Sequence, residues 1–127
     1  MEVDVMNIFD EGIFINHLDC EIAKSERFGY PFSVLMVKTL NPQSHAIMLL
    51  TSIIEANYRT TDVVSKKDNG TYFILLNGTD EDAAYLYMSR LVQKVVSENE
   101  VPLVCSVTSY RTGDTRESVL RRLVQKI

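Results

Sequence analysis

The stretch YRTTDVVSKKDNGTYFILL, residues 58–76, decides the fold of this chain. Val63 and Val64 begin one short apolar run, YFILL forms another, and the letters KKDNGT between them are typical of a turn. Short apolar runs separated by Asn-Gly favour two antiparallel strands joined as a hairpin. Arg59 and Asp62 lie just ahead of this hairpin, three positions apart. They are either a charged pair that holds a ligand or a solvated turn at the end of a helix.

Ahead of the hairpin, the sequence predicts a helix followed by a strand. Phe14, Leu18 and Ile22 recur at helical spacing, and the Gly-Tyr-Pro that comes after them predicts that this helix ends near Phe28. PFSVLMVKT, residues 31–39, is a short apolar run between chain-breaking residues. Such a run is typical of a strand that is buried on both faces.

The remaining segments alternate in the same way. One helix is expected over about 41–58 and a second over about 80–98, where an acidic first turn suits the helix dipole. PLVCSVTSY, residues 102–110, predicts another strand. Asp114 and Glu117 then have the spacing of a capping box that opens a last helix.

The order helix, strand, helix, hairpin, helix, strand, helix predicts the fold class. Strands interleaved with crossover helices and one hairpin favour an α/β (α+β) architecture, a ferredoxin-like or nucleotidyl-cyclase palm. We expect a mixed sheet of about four to five strands covered by helices. A length of 127 residues predicts a single domain, residues 1–127, with a core of its own.

Composition excludes several classes of function. With 46% hydrophobic and 24% charged residues, the chain is typical of a globular protein. Neither a membrane-spanning apolar stretch nor a basic signal-peptide region is found, so we expect a cytoplasmic protein without membrane insertion. A net charge of -4 argues against general nucleic-acid binding. His17 and His45 have no Cys or His neighbour at ligand spacing, so we expect no metal site and no cofactor.

An anionic ligand would need a local cluster of basic side chains. The sequence offers six candidates for such a cluster: Arg59, Lys66, Lys67, Arg90, Lys94 and Arg111. Tyr85 and Tyr87 flank the apolar stripe of the third helix, where they are available to stack on a base or to form a dimer contact, and the sequence leaves both open.

Two segments carry a resemblance to a known family. LDCEIAKSERFGYPFSVLMVKTL, residues 18–40, is similar to the segment by which GGDEF (diguanylate cyclase) domains enter their first strand, through a long helix and an aromatic-Gly-x-Pro turn. DNGTYFILLNGTD, residues 68–80, resembles the family's signature hairpin and the Pro-Gly-Thr-Asp turn after it. The similarity extends from about Phe14 to the C-terminus, and its force comes from the order and spacing of the segments.

The resemblance implies that the catalytic residues are missing. The Gly-Gly-Asp-Glu-Phe signature falls on residues 68–72, which places Gly70 and Thr71 where the family has its acidic residues. The family's metal-binding aspartate at the end of the first strand falls on Lys38, a charge that repels Mg²⁺. The loop with the guanine-binding Asn and Asp is shortened as well. Because phosphoryl transfer depends on bound metals and positioned phosphates, we expect no cyclase activity.

The family's Arg-x-x-Asp inhibitory site, by contrast, matches Arg59 to Asp62. Five residues separate this motif from the signature, as in active GGDEF domains, whose product cyclic di-GMP binds there. Guanine offers acceptors that suit an arginine and donors that suit a carboxylate, and the ligand's two phosphates attract arginine. A third arginine commonly joins this site from the following helix, and Arg90 matches it. The resemblance thus implies a cyclic di-GMP site formed by Arg59, Asp62 and Arg90.

Two functions are weighed on this basis. The favoured one is a catalytically inactive receptor that senses cyclic di-GMP and signals to a protein partner or a neighbouring domain, as receptors of this type do in bacterial exopolysaccharide secretion and biofilm control. The alternative is a ligand-free interaction or dimerisation scaffold, in which Arg59 favours the helix dipole and Asp62 caps an exposed turn. Either function is compatible with a homodimer.

Overall fold

The structure is a computed structural model that describes residues 8–9, 11–41, 43–68 and 70–125. Helices cover both faces of one sheet, so the described part of the chain has three layers. None of the described helices is long and apolar enough to cross a membrane. The elements follow one another as β1 (Ile8–Phe9), α1 (Glu11–Phe28), β2 (Phe32–Thr39), α2 (Ser44–Asn57), β3 (Val63–Asp68), β4 (Thr71–Asn77), α3 (Glu81–Val92), a π-helical turn (Gln93–Ser97), β5 (Leu103–Ser109) and α4 (Arg116–Gln125).

The sheet is mixed and has the strand order β1-β3-β4-β2-β5. β3 and β4 form the antiparallel hairpin that the sequence predicts, with Val64 opposite Ile74. β2 lies between β4 and β5 and is antiparallel to both. β1 pairs in parallel with β3 at the opposite edge. The predicted palm architecture is confirmed.

Two apolar cores lie on the two faces of the sheet. Alternate residues of β2 point to opposite sides, so Leu35 and Val37 enter one core while Val34 and Met36 enter the other. Apolar residues of α2 and α3 fill the first core, and those of α1 and α4 fill the second. Of the β2 side chains, all but that of Lys38 are buried, as predicted for a strand with two covered faces.

The helices begin and end close to the predicted positions. Asp80 caps α3, where its Oδ1 accepts a hydrogen bond from the Ala83 N–H at 2.9 Å. The predicted continuation to about residue 98 is partly π-helical, over Gln93–Ser97.

The start of α4 differs from the prediction. The capping box is formed by Thr115 and Ser118, each of which donates a backbone N–H to the other's hydroxyl, at 2.9 and 3.2 Å. The prediction that Asp114 and Glu117 form it was therefore wrong. The Asp114 carboxylate instead binds Arg122 and the backbone N–H of Arg111.

Candidate functional site

Arg59 and Asp62 form a closed turn between α2 and β3. The Asp62 N–H donates to the Arg59 carbonyl at 2.9 Å, and the Arg59 N–H donates to Asp62 Oδ2 at 2.9 Å. The guanidinium of Arg59 also binds the carboxylate, with Nη2 and Nε at 2.9 and 3.1 Å from Oδ1. The Asp62 side chain is 0% exposed, whereas that of Arg59 is 51% exposed. The expectation that both residues lie in an exposed turn was therefore wrong for Asp62.

The end of β4 and the turn after it hold the Arg59 guanidinium from a second side. Its Nη2 donates to the Thr79 hydroxyl at 2.8 Å and to the Asn77 carbonyl at 3.3 Å. Thr79 in turn donates to the same carbonyl at 3.0 Å. The Nη1 group donates no hydrogen bond to any described residue. One edge of the Arg59 guanidinium is thus held by the protein, and its other edge is available to bind a ligand.

Arg90 lies on α3 and faces the same space as Arg59. Both line a cavity of about 350 Å³ between the end of α2, the turn after β4 and α3, which we call the Arg59 cavity. Within the described residues, the Arg90 side chain makes no hydrogen bond or ion pair. Other residues that line this cavity are Asn57, Thr79, Leu86 and Tyr87.

Asp62 contributes to the Arg59 cavity only indirectly. Its carboxylate is buried behind Arg59 and is not part of the lining. Of the three residues that the sequence assigned to the site, the structure therefore brings Arg59 and Arg90 to one cavity and places Asp62 beneath Arg59. In this geometry the Asp62 carboxylate holds Arg59 in place and does not face the cavity, and its predicted contact with the donors of guanine stays a prediction.

The predicted basic cluster is only partly assembled. Lys94 joins the two arginines, because its Nζ donates at 2.9 Å to Asn57 Oδ1, and Asn57 lines the Arg59 cavity. Lys66 lines a different cavity, beside α2 and the hairpin. Lys67 lies over the ring of Phe73, with Nζ 5.8 Å from the ring centroid. The cluster therefore consists of Arg59, Arg90 and Lys94.

A second Arg-x-x-Asp turn shows what is particular to the first. Residues 111–114, RTGD, repeat the two closing bonds, with the Asp114 N–H at 2.9 Å from the Arg111 carbonyl and the Arg111 N–H at 2.7 Å from Asp114 Oδ2. Here the carboxylate binds Arg122 of α4, which is only 18% exposed and also binds Thr108 and Ser109. The same motif is thus a closed structural contact at Asp114, whereas in the first turn Arg59 opens onto a cavity.

Sequence analysis did not assign Thr79, Asn57 or Tyr87 to the site. Tyr87 and Arg90 are three positions apart on one helix, so they share a face, and this spacing was the available signal. Thr79 follows a strand, and only its contact with Arg59 identifies it. Asn57 is the last residue of α2, and its closeness to Lys94 depends on the tertiary fold.

The positions that the family resemblance assigned to catalysis come together at the far end of the sheet. Lys38 of β2 lies opposite Thr71 of β4, and the Thr39 N–H donates to the Gly70 carbonyl at 2.9 Å. Lys38 is exposed, and Thr71 is buried. Within the described residues, no three His, Cys, Asp or Glu side chains are grouped as metal ligands.

Gly70 leaves no room for a side chain. Its φ is +89°, and a Cβ there would lie 2.7 Å from Thr39 Cγ2. Thr39 is buried, and its hydroxyl is held by the backbone of Asn41, at 3.1 Å from the N–H and 3.2 Å from the carbonyl. The backbone therefore packs into the place from which an acidic side chain would have to project.

The fold is shared with several solved structures of low sequence identity. A diguanylate cyclase protein from Thermotoga maritima is 17% identical, with a TM-score of 0.83, covering 97% of this chain and 98% of that one. The GGDEF domain of DgcB from Caulobacter crescentus, solved in complex with c-di-GMP, is 11% identical with a TM-score of 0.83, covering 97% and 82%. Diguanylate cyclase SiaD from Pseudomonas aeruginosa, solved with its activator SiaC, is 15% identical with a TM-score of 0.81.

The similarity to SiaD covers 98% of this chain but only 55% of the SiaD chain. No family model matches the sequence, and the search of curated proteins found no match. The architecture described above, with helices on both faces of a mixed sheet, is nevertheless common to the three structures and to this chain. The chain has the fold of diguanylate cyclase GGDEF domains.

Proposed function

We propose that this chain is a catalytically inactive GGDEF-like domain that binds cyclic di-GMP in the Arg59 cavity and acts as a signalling receptor. The observation that carries the proposal is the meeting of Arg59 and Arg90, which are 31 residues apart in sequence, at one cavity. A volume of about 350 Å³ is within the usual range for ligand pockets, roughly 300–1,000 Å³. The c-di-GMP complex of the DgcB GGDEF domain is consistent with this ligand.

The cavity suits a ligand with phosphate groups. Three cationic side chains, Arg59, Arg90 and Lys94, lie at it or bind its lining, against the single buried carboxylate of Asp62. A guanidinium held on one edge keeps a planar fork of donors for a phosphate or for the O6 and N7 of guanine. In the proposed complex, Asp62 positions Arg59, and the two arginines contact the ligand.

The absence of enzyme activity is also part of the proposal. At the position of the expected metal ligand, Lys38 places a positive charge opposite Thr71, where a cyclase needs carboxylates. The contact of Gly70 with Thr39 adds a steric reason. Incubated with GTP and Mg²⁺ or Mn²⁺, the purified protein should form no cyclic di-GMP. Turnover that disappears in a Thr71→Ala variant would contradict this part of the proposal.

A second candidate function is a ligand-free interaction scaffold. The observation that favours it is the internal pairing of Arg59 with Asp62, because a satisfied and buried carboxylate needs no ligand. In that case the output is docking to a protein partner or a neighbouring domain, or formation of a homodimer. The SiaD structure, solved with its activator, is an example of a protein complex in this fold.

Calorimetric titration with cyclic di-GMP separates the two candidates. If the chain is a receptor, the parent protein should bind saturably and an Arg59→Ala variant should bind more weakly. If it is a scaffold, neither the parent nor the variant should give a heat of binding. Arg111→Ala is a matched control, because Arg111 opens the other Arg-x-x-Asp turn but its exposed side chain is not part of the Arg59 cavity. Equal loss of binding in both variants would place the site elsewhere.

A further inference from the structure

Tyr87 lies on α3 one turn before Arg90 and lines the Arg59 cavity with it. It also lines a smaller cavity of about 60 Å³, bordered by Asn57, Arg90 and Leu91. Because Asn57, Tyr87 and Arg90 line both, the phenol ring lies where the two cavities meet. The ring also packs against the apolar core beneath α3.

The Tyr87 hydroxyl is buried and has no hydrogen-bond partner among the described residues. Buried tyrosine hydroxyls usually find a partner, and an unsatisfied one costs about 1–3 kcal/mol. Burial, with a smaller contribution from the charge of Asp62, raises the pKa of Tyr87 to about 12, and the charge of Arg59 opposes part of this rise. The hydroxyl therefore keeps its proton at neutral pH and is an unused donor close to the Arg59–Asp62 pair.

The acceptors around the cavity are already engaged. The carboxylate of Asp62 is covered by Arg59, and the Thr79 hydroxyl accepts from Arg59. The acceptor oxygen of Asn57 binds Lys94, while its amide nitrogen donates to the Ile53 carbonyl at 2.6 Å.

The unengaged polar groups of the lining side chains are two guanidinium groups, which only donate, and one hydroxyl, which can donate or accept. They belong to Arg59, Arg90 and Tyr87. Guanidinium groups cannot accept a hydrogen bond, so neither arginine can satisfy Tyr87 by accepting from it. The cavity is therefore complementary to a ligand group that carries several acceptors.

We propose that Tyr87 is a further ligand-binding residue of the Arg59 cavity, where its hydroxyl donates to an acceptor oxygen or nitrogen of an anionic, acceptor-rich ligand. This inference rests on the proposed function, because cyclic di-GMP has such acceptors in its phosphates and its guanine O6 and N7. Tyr87 adds a neutral donor to the two charged ones. It favours ligands large enough to reach Tyr87 as well over small anions that contact the arginines alone.

The removal of this hydroxyl should have opposite effects on binding and on stability. In a Tyr87→Phe variant, the ligand loses one hydrogen bond, and its affinity for cyclic di-GMP should fall roughly 2- to 12-fold. The free protein loses only an unsatisfied group, so its urea unfolding midpoint should stay the same or rise. A hydroxyl with a purely structural role would give a lower midpoint and an unchanged affinity.

The experiment compares parent, Tyr87→Phe, Tyr85→Phe and Arg59→Ala proteins by calorimetric titration with cyclic di-GMP and by urea unfolding without ligand. Tyr85 is the control because it is 39% exposed on the same helix and lines neither cavity. Weaker binding by Tyr87→Phe alone of the two tyrosine variants, with no loss of stability, supports the inference.

Three results would overturn it. Parent-like affinity in Tyr87→Phe, with weakened binding in Arg59→Ala, removes Tyr87 from the site and leaves the proposed function intact. A lower unfolding midpoint of Tyr87→Phe shows that the hydroxyl already has a partner within the protein. Absence of saturable binding in the parent overturns this inference together with the proposed function.

Discussion

Arg59 binds the fully buried carboxylate of Asp62, yet half of its own side chain is exposed to solvent. The two residues of this ion pair differ in exposure, because the Asp62 carboxylate is buried and the Arg59 side chain is half exposed. They are therefore not equivalent parts of the motif. Asp62 is a buried acceptor whose hydrogen-bond partners among the described residues all belong to Arg59, and Arg59 is the group that reaches the cavity. This asymmetry gives different expectations for the two substitutions.

Both an Asp62→Ala and an Arg59→Ala variant should lose stability, but only Arg59→Ala removes a group that reaches the cavity. Removal of the Asp62 carboxylate leaves the Arg59 backbone N–H without its acceptor, which costs about 1–3 kcal/mol of unfolding free energy. Removal of the Arg59 guanidinium should weaken cyclic di-GMP binding roughly 10- to 150-fold. It also leaves the buried Asp62 carboxylate without its counter-ion, which should cost about 3–5 kcal/mol of unfolding free energy. Urea unfolding and calorimetry on both variants measure these effects. An Arg59→Ala variant as stable as the parent would show that the burial of the Asp62 charge has no energetic weight.

Gly70 and Gly113 form a matched pair for testing the packing at the position that the family resemblance assigns to catalysis. Their φ angles are +89° and +88°, but a Cβ on Gly113 would meet nothing within 4 Å. Gly113→Ala should therefore cost only the strain of a positive φ, about 1–2 kcal/mol. Gly70→Ala should cost more, because the new Cβ overlaps Thr39 Cγ2, and urea unfolding measures the difference. Equal destabilisation would show that Thr39 yields, and that an acidic side chain could be accommodated there.

Asp114 should make stability depend on pH in the acid range. Burial by itself would raise its pKa, but hydrogen bonds from Arg122, the Arg111 backbone and Ser118 lower it from 3.8 to about 2. A folded-state pKa below the unfolded one means that the stabilisation is complete above about pH 4 and is lost as the pH falls towards about 2.

The stability difference between the parent and an Asp114→Asn variant should therefore shrink from pH 5 to pH 2, as followed by urea unfolding at each pH. Asp82→Asn, on the exposed start of α3, serves as the control. A difference that stays constant with pH would contradict the lowered pKa.

The hairpin and the order of elements were predictable because they depend on local patterns. Asn-Gly between two apolar runs specifies a tight turn, and period-4 apolar positions specify helices whatever they pack against. β1 has only two residues, and its pairing with Val64 and Ser65 depends on the edge that β3 offers. No local pattern identifies so short a strand.

The candidate site was predictable only in part. Arg59 and Asp62 could be identified because they adjoin the hairpin at a fixed spacing. The burial of Asp62 could not, because it depends on the tertiary fold around the turn, which also brings Thr79, 20 positions away, to Arg59. The unsatisfied Tyr87 hydroxyl likewise exists only once α3 has packed on the sheet.

Arg90 gives the sharpest test of whether the cavity is a ligand site. An Arg90→Ala variant should leave stability unchanged within about 0.5 kcal/mol, because the exposed side chain makes no ion pair within the described residues. Its affinity for cyclic di-GMP should fall roughly 10-fold or more, since one charged donor is lost. Arg121→Ala is the matched control, an exposed arginine on α4 that is not in the cavity lining. Calorimetry on an Arg59→Ala, Arg90→Ala double variant completes the comparison. If both arginines contact one ligand, its loss of affinity should exceed that of either single variant; if Arg90→Ala binds like Arg121→Ala, Arg90 belongs to an ordinary solvated helix face.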